Sequence, residues 1–160
     1  MDYSKIQLNS LVLLRMLVGW HFLYEGLWKL FTPAWTSAGY LRSAEGLFKP
    51  LFAWFGSSSM VGISDTLVTL GLIAIGLSLL LGVFSRYGAI AGMLLLAMFY
   101  LAHPSFPGSI SANTADGHYM IVNKTLIEFA AMWVILLFPT SQYVGLDSYL
   151  GFGKKDVATA

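Results

Sequence analysis

The chain has no cysteine, which excludes disulfides, thiolate metal sites, Cys-ligated iron–sulfur clusters and thiol nucleophiles. Charge is scarce too. Only 11% of its 160 residues are charged and the net charge is +1, so no electrostatic footprint for nucleic acid is present. Apolar residues fill the remainder: 57% of the chain is hydrophobic and the mean hydropathy is +0.71, far from the usage of an ordinary soluble domain. A bilayer core takes about 20 apolar residues per helix, so the length accommodates four spans and no extramembrane catalytic domain. The expected fold is all-α, a polytopic membrane protein built as a four-transmembrane-helix bundle, with the lipid bilayer as its first partner.

Along the chain, the first span is expected over residues 8–31, closed by Pro33, which lacks the N–H that would continue a helix. It is too long for a cleaved signal and has no A-x-A site. An aromatic stretch broken by Gly39, Gly46, Pro50 and Gly56 follows. Within it Leu47, Phe48, Leu51, Phe52 and Phe55 recur at helical spacing, which predicts a short amphipathic helix lying in the membrane interface between the first two spans. Further spans are expected over 65–84, 87–102 and 119–138. Ala74, Ser78 and Gly82 in the second, and Gly88 and Gly92 in the third, are small residues that let helices approach closely in lipid. Residues 1–139 thus read as one domain, and 140–160 as a tail that frays.

The first span carries Arg15, His21, Glu25 and Lys29 inside an otherwise apolar run. At about 100° per residue these fall on one face, and ionisable groups in hydrocarbon usually line a protected interior. An up-down bundle brings the end of span one, the start of two, the end of three and the start of four to one side. That gathers His21, Glu25, Lys29, Asp65, His103, His118, Asn123, Lys124 and Glu128 into one half of the molecule. Cross-helix pairs, Glu25 with Lys124 and Lys29 with Glu128, would offset much of the desolvation cost. The plainer alternative is a satisfied polar network that only holds helices together, with Asp65 capping its helix and Arg15 snorkelling or reaching Glu25 through water.

The stretch Gly19-Trp20-His21-Phe22-Leu23-Tyr24-Glu25-Gly26-Leu27-Trp28-Lys29-Leu30, continued by Pro33 to Leu41 and by the polar start of the last span from Asn123 to Glu128, resembles the DoxX/DoxD membrane family. The resemblance implies a four-span membrane subunit of a quinone-linked oxidoreductase, of the thiosulfate:quinone type in the founding members. It also implies a multi-pass plasma-membrane location with both termini cytoplasmic; the charges themselves leave orientation tied, with Lys5, Arg86, Lys154 and Lys155 on one side against Lys29, Arg42, Lys49 and Lys124 on the other. Fold analogy alone does not name a substrate.

Reduction of a quinone needs an aromatic slot and protonatable groups at its carbonyls. His21, Glu25 and Glu128 are the candidate catalytic residues, with Phe22 and Trp28 as quinone contacts. Lys29, Arg42, Asn123 and Lys124 are the candidate substrate-binding set for an anionic sulfur donor. Quinone is expected as a diffusible acceptor, and no metal, haem or iron–sulfur cluster in this chain. Electrons would pass directly between bound substrates or through a second oxidoreductase subunit or soluble redox partner, and homo-oligomers are open. A second class of reading is a non-enzymatic membrane module, either a small-molecule carrier or a scaffold that recruits a redox partner.

Overall fold

The computed structural model describes residues 3–109, 113–114 and 117–150. Its helices are α1 (Lys5–Phe31), α2 (Ala38–Arg42), α3 (Lys49–Phe55), α4 (Val61–Leu81), α5 (Ser85–Ala102), α6 (Lys124–Leu137) and α7 (Asp147–Leu150). Between α5 and α6 a two-residue antiparallel pair, β1 (Asn113–Thr114) with β2 (Gly117–His118), sets Asn113 opposite His118. The long helices follow one another around a ring: α1 lies on α4, α4 on α5, α5 on α6, and α6 returns to α1. Phe22, Leu72, Ile75, Leu79, Leu96 and Met132 fill the centre. In lipid such a core gains little from leaving the solvent, so close packing and polar contacts must hold it.

Small residues make that packing possible on α1 and α4. A Cβ on Gly19 would stand 2.9 Å from Leu79 Cβ, one on Gly26 would stand 2.9 Å from the Ile73 backbone nitrogen, and one on Gly76 would overlap the backbone of Leu23. The two helices therefore touch backbone to backbone. The same device serves α5 on both sides, where Gly88 faces Ser78 of α4 and Gly92 faces Met132 of α6.

Three helices among the described residues, α1, α4 and α5, are long and apolar enough to cross a membrane. The fourth element of the ring, α6, has 14 residues, about 21 Å of helix, and begins five residues after the expected start of its span. Hydrogen bonding decides where it begins. Ile121 has φ +67°, its N–H donates to Ser105 O at 2.7 Å and its carbonyl accepts from Tyr100 Oη at 2.8 Å, which holds this stretch out of the helix. Asn123 then caps α6 by accepting from the Leu126 N–H at 3.0 Å. At the other helices the differences are smaller: α1 starts at a Ser4–Gln7 capping box, and α4 begins at Val61, before Asp65. Asp65 consequently does not cap α4; its Oδ1 accepts from both the backbone N–H and the hydroxyl of Ser37, at 2.7 and 2.5 Å.

The aromatic segment after α1 forms two short helices instead of one. Phe52 of α3 is buried with Ala44 and Ala102, while Leu47, Leu51 and Trp54 point outward. Tyr40 ties α2 to α5 through its hydroxyl, which donates to Phe99 O at 3.0 Å, and burial of that phenol pushes its ionisation up.

The expected fraying after Pro139 is corrected for residues 140–150. Thr140, Ser141 and Asp147 are buried, and Arg15 ties this segment to α1: Nη1 donates to Thr140 Oγ1 at 3.0 Å and Nη2 to Val144 O at 2.7 Å. Asp147 in turn accepts from the Phe84 N–H at 3.0 Å and donates its own N–H to Gly82 O at 3.0 Å. That contact fastens the tight α4–α5 turn, in which Gly82 and Phe84 both take left-handed backbone. Arg15 therefore has no part in a cluster with Glu25; it lies about 15 Å away along α1 and turns to the C-terminal segment. Lys154, Lys155 and Asp156 lie outside the described residues.

Candidate functional site

The seam between α1 and α6 brings together the ionisable residues that the sequence scatters over more than a hundred positions. His21 Nε2 stands 3.7 Å from Glu128 Oε1, and Glu25 and Lys124 lie close enough for their charges to act on the Glu128 carboxylate. Helix geometry explains the grouping. Glu25 follows His21 by one turn on α1, and Lys124 precedes Glu128 by one turn on α6, so each helix presents a short polar strip to the other.

The strip opens outward. His21 keeps 60% of its side chain accessible and Glu128 20%. Beside it Trp20 and Tyr24 stack with ring centroids 6.3 Å apart, and these two and Trp28 are each at least half exposed. The spacing Trp20, Tyr24, Trp28 is one residue per turn on the side of α1 that bears His21. That pattern is visible in the sequence, yet Trp20 and Tyr24 were not among the expected contacts. Depth follows from packing. Arg15 sits beside Gly82 at one end of the ring, and His21 is about 9 Å further along α1, with Phe31 about 15 Å beyond it.

The remaining expected site residues have other attachments. Lys29 ion-pairs with Glu25 of its own helix and lies over the rings of Trp28 and Trp35 at 6.0 and 5.5 Å, so the expected pair with Glu128 does not form. Its ammonium is enclosed, with 14% of the side chain accessible. Arg42 donates from Nε to Gly56 O at 2.7 Å, locking α2 to the end of α3. Asn123 is buried, with its oxygen on the α6 cap and its Nδ2 donating to Ser105 Oγ at 3.0 Å. Phe22, expected at a quinone, is turned inward: only 2% accessible, it belongs to the core against α4. Its neighbour His21 points about 100° away around the helix, which is why one faces out and the other in. His103 sets Nε2 3.0 Å from Tyr40 O, in the cap and away from the seam.

Among the described residues no group of three or more His, Cys, Asp or Glu side chains is placed to hold a metal. Chemically, the seam is an imidazole and a carboxylate 3.7 Å apart, edged with aromatic rings. The sequence profile of the DoxX family matches residues 10–104, from within α1 to the end of α5. No curated protein and no solved structure matches the chain.

Proposed function

The chain belongs to the DoxX family, a family of membrane proteins, and on that footing we propose that it is the quinone-facing membrane subunit of an oxidoreductase. The observation that carries the reading is the His21–Glu128 contact on the outward side of the α1–α6 seam. A lipid-soluble ring can reach such a place sideways from the bilayer. In this reading α6 completes a four-span bundle, with the irregular residues before it supplying the missing length, and α2 and α3 rest at the membrane interface with Leu47, Leu51 and Trp54 toward lipid. Both termini then face the cytoplasm, across the plasma membrane from the α2–α3 cap.

Reduction of a quinone to a quinol consumes two electrons and two protons. His21 would donate a hydrogen bond, and then a proton, to one carbonyl oxygen, and Glu128 would resupply the imidazole. Glu25 contributes charge at one remove, and Trp28 with Tyr24 would flank the ring. The donor half finds less support. Lys29 is enclosed, Arg42 holds Gly56 and Asn123 caps a helix, so two of the three cations and the amide assigned to a thiosulfate dianion are engaged within the fold. That engagement favours a sulfur donor oxidised on a partner, with electrons delivered to this subunit, over thiosulfate bound here. It also gives weight to a second reading, a membrane scaffold that recruits the redox partner and performs no chemistry itself.

The deciding experiment measures quinone reduction by purified protein with its copurifying partners. His21→Ala and Glu128→Gln are expected to lower turnover per folded molecule at least tenfold while helical content stays at the wild-type level. Wild-type turnover in both variants would remove the seam from catalysis and leave the scaffold.

A further inference from the structure

We propose that the α1–α6 seam is also where two copies of this chain meet, about a two-fold axis normal to the bilayer. The first ground is depth. His21 has 60% of its side chain accessible at a level about 9 Å along α1 from the Arg15 clasp, well inside the layer that the long helices share. An imidazole turned to acyl chains there is costly. Protein is the better cover.

The second ground is that the patch complements itself. Copies inserted with the same orientation can be related only by rotation about the membrane normal, and such a rotation leaves every depth unchanged. A closed pair therefore needs, on one surface, a donor and an acceptor at the same depth, so that each copy offers both. His21 Nε2 and Glu128 Oε1, 3.7 Å apart, meet that condition: the imidazole of one copy can donate to the partner's Glu128 while the reciprocal contact forms on the other side of the axis. An unrelated partner would require no such matching on this chain's own surface. Trp20 and Tyr24, stacked and more than half exposed, add the aromatic area that interface cores favour. The inference stands apart from the redox reading, since a dimer forms or fails whether or not quinone is reduced.

The absence of cysteine makes single-cysteine labelling unambiguous. In native membranes, Leu17→Cys and Tyr24→Cys, both on the outward face of α1, are expected to give a dimer with a short bismaleimide. Leu70→Cys, equally exposed but on α4, is expected to stay monomeric. On the Tyr24→Cys background, His21→Glu sets carboxylates against one another and should cut the dimer at least tenfold; adding Glu128→Lys should restore it. Wild-type protein extracted in polymer-bounded lipid discs should have the mass of two chains. One chain per disc, cross-linking at Leu70 in place of α1, a His21→Glu variant that dimerises as well as its parent, or one chain bound to a different protein on this face would each overturn the proposal. Monomers with full quinone reduction would sink this inference alone, and dimers without quinone reduction would sink only the redox reading.

Discussion

Residues of similar chemistry do different work in this chain according to what their neighbours leave unsatisfied. Asn123 looks from sequence like a polar group available to substrate; in the fold it caps α6 and holds Ser105, a buried pair linking two connections. Asn123→Ala removes both bonds and strands the Leu126 N–H. It is expected to destabilise the protein by about 1–3 kcal/mol, read as a lower thermal midpoint in detergent, with quinone turnover per folded molecule unchanged. Arg15 shows the reverse situation. It is 2% accessible and its Nε has no hydrogen-bond partner among the described residues, so what ties the guanidinium in place is the bonds of Nη1 and Nη2 to the C-terminal segment. Arg15→Ala is expected to release residues 140–150 to proteolysis while leaving the ring of long helices formed.

At the level of elements, glycine is the test of which helix faces are packed. Gly76 abuts the backbone of Leu23, whereas a Cβ on Gly71 would meet nothing within 4 Å. Gly76→Ala therefore has to push α1 and α4 apart and is expected to cost about 1–3 kcal/mol. Gly71→Ala on the same helix gains helix propensity of about 1 kcal/mol without a clash. Thermal unfolding of the two variants side by side in detergent checks the contrast, and equal loss in both would show that α4 packs with its other face. The short α6 follows the same logic, since its length was set by the Ile121 and Asn123 hydrogen bonds and not by where its apolar run begins.

For the whole molecule, the number of crossings decides the topology. If α6 crosses, the α1 start and the Arg15-bound segment lie on one side and the α2–α3 cap on the other. Single-cysteine variants Ser58→Cys, in the α3–α4 connection, and Ser148→Cys, near the end of the described chain, are then expected to react with impermeant maleimide from opposite sides of sealed vesicles. Labelling of both from one side would mean that α6 does not cross. The Arg15 contact to Thr140 and Val144 joins α1 to the segment that follows α6.

Apolar content, the absence of cysteine and the lengths of the uninterrupted runs were enough, from sequence alone, to establish a helical membrane protein with long helices near α1, α4 and α5, because hydrocarbon permits few backbone structures and each run must satisfy its own hydrogen bonds. The meeting of His21 with Glu128 was legible only as a shared half of a bundle. Which neighbour each charge would take was not. Four ionisable residues on one arc of α1 span about 120°, wide enough for Arg15 to turn toward the C-terminal segment, Lys29 toward Glu25 and two tryptophans, and His21 outward to the seam. Side-chain direction on an arc that broad depends on where the adjacent helices stand, and α4 stands where Gly19, Gly26 and Gly76 allow backbones to touch. Periodicity reports the angle of a residue around its own helix, and only the packing of the other helices determines what that angle faces.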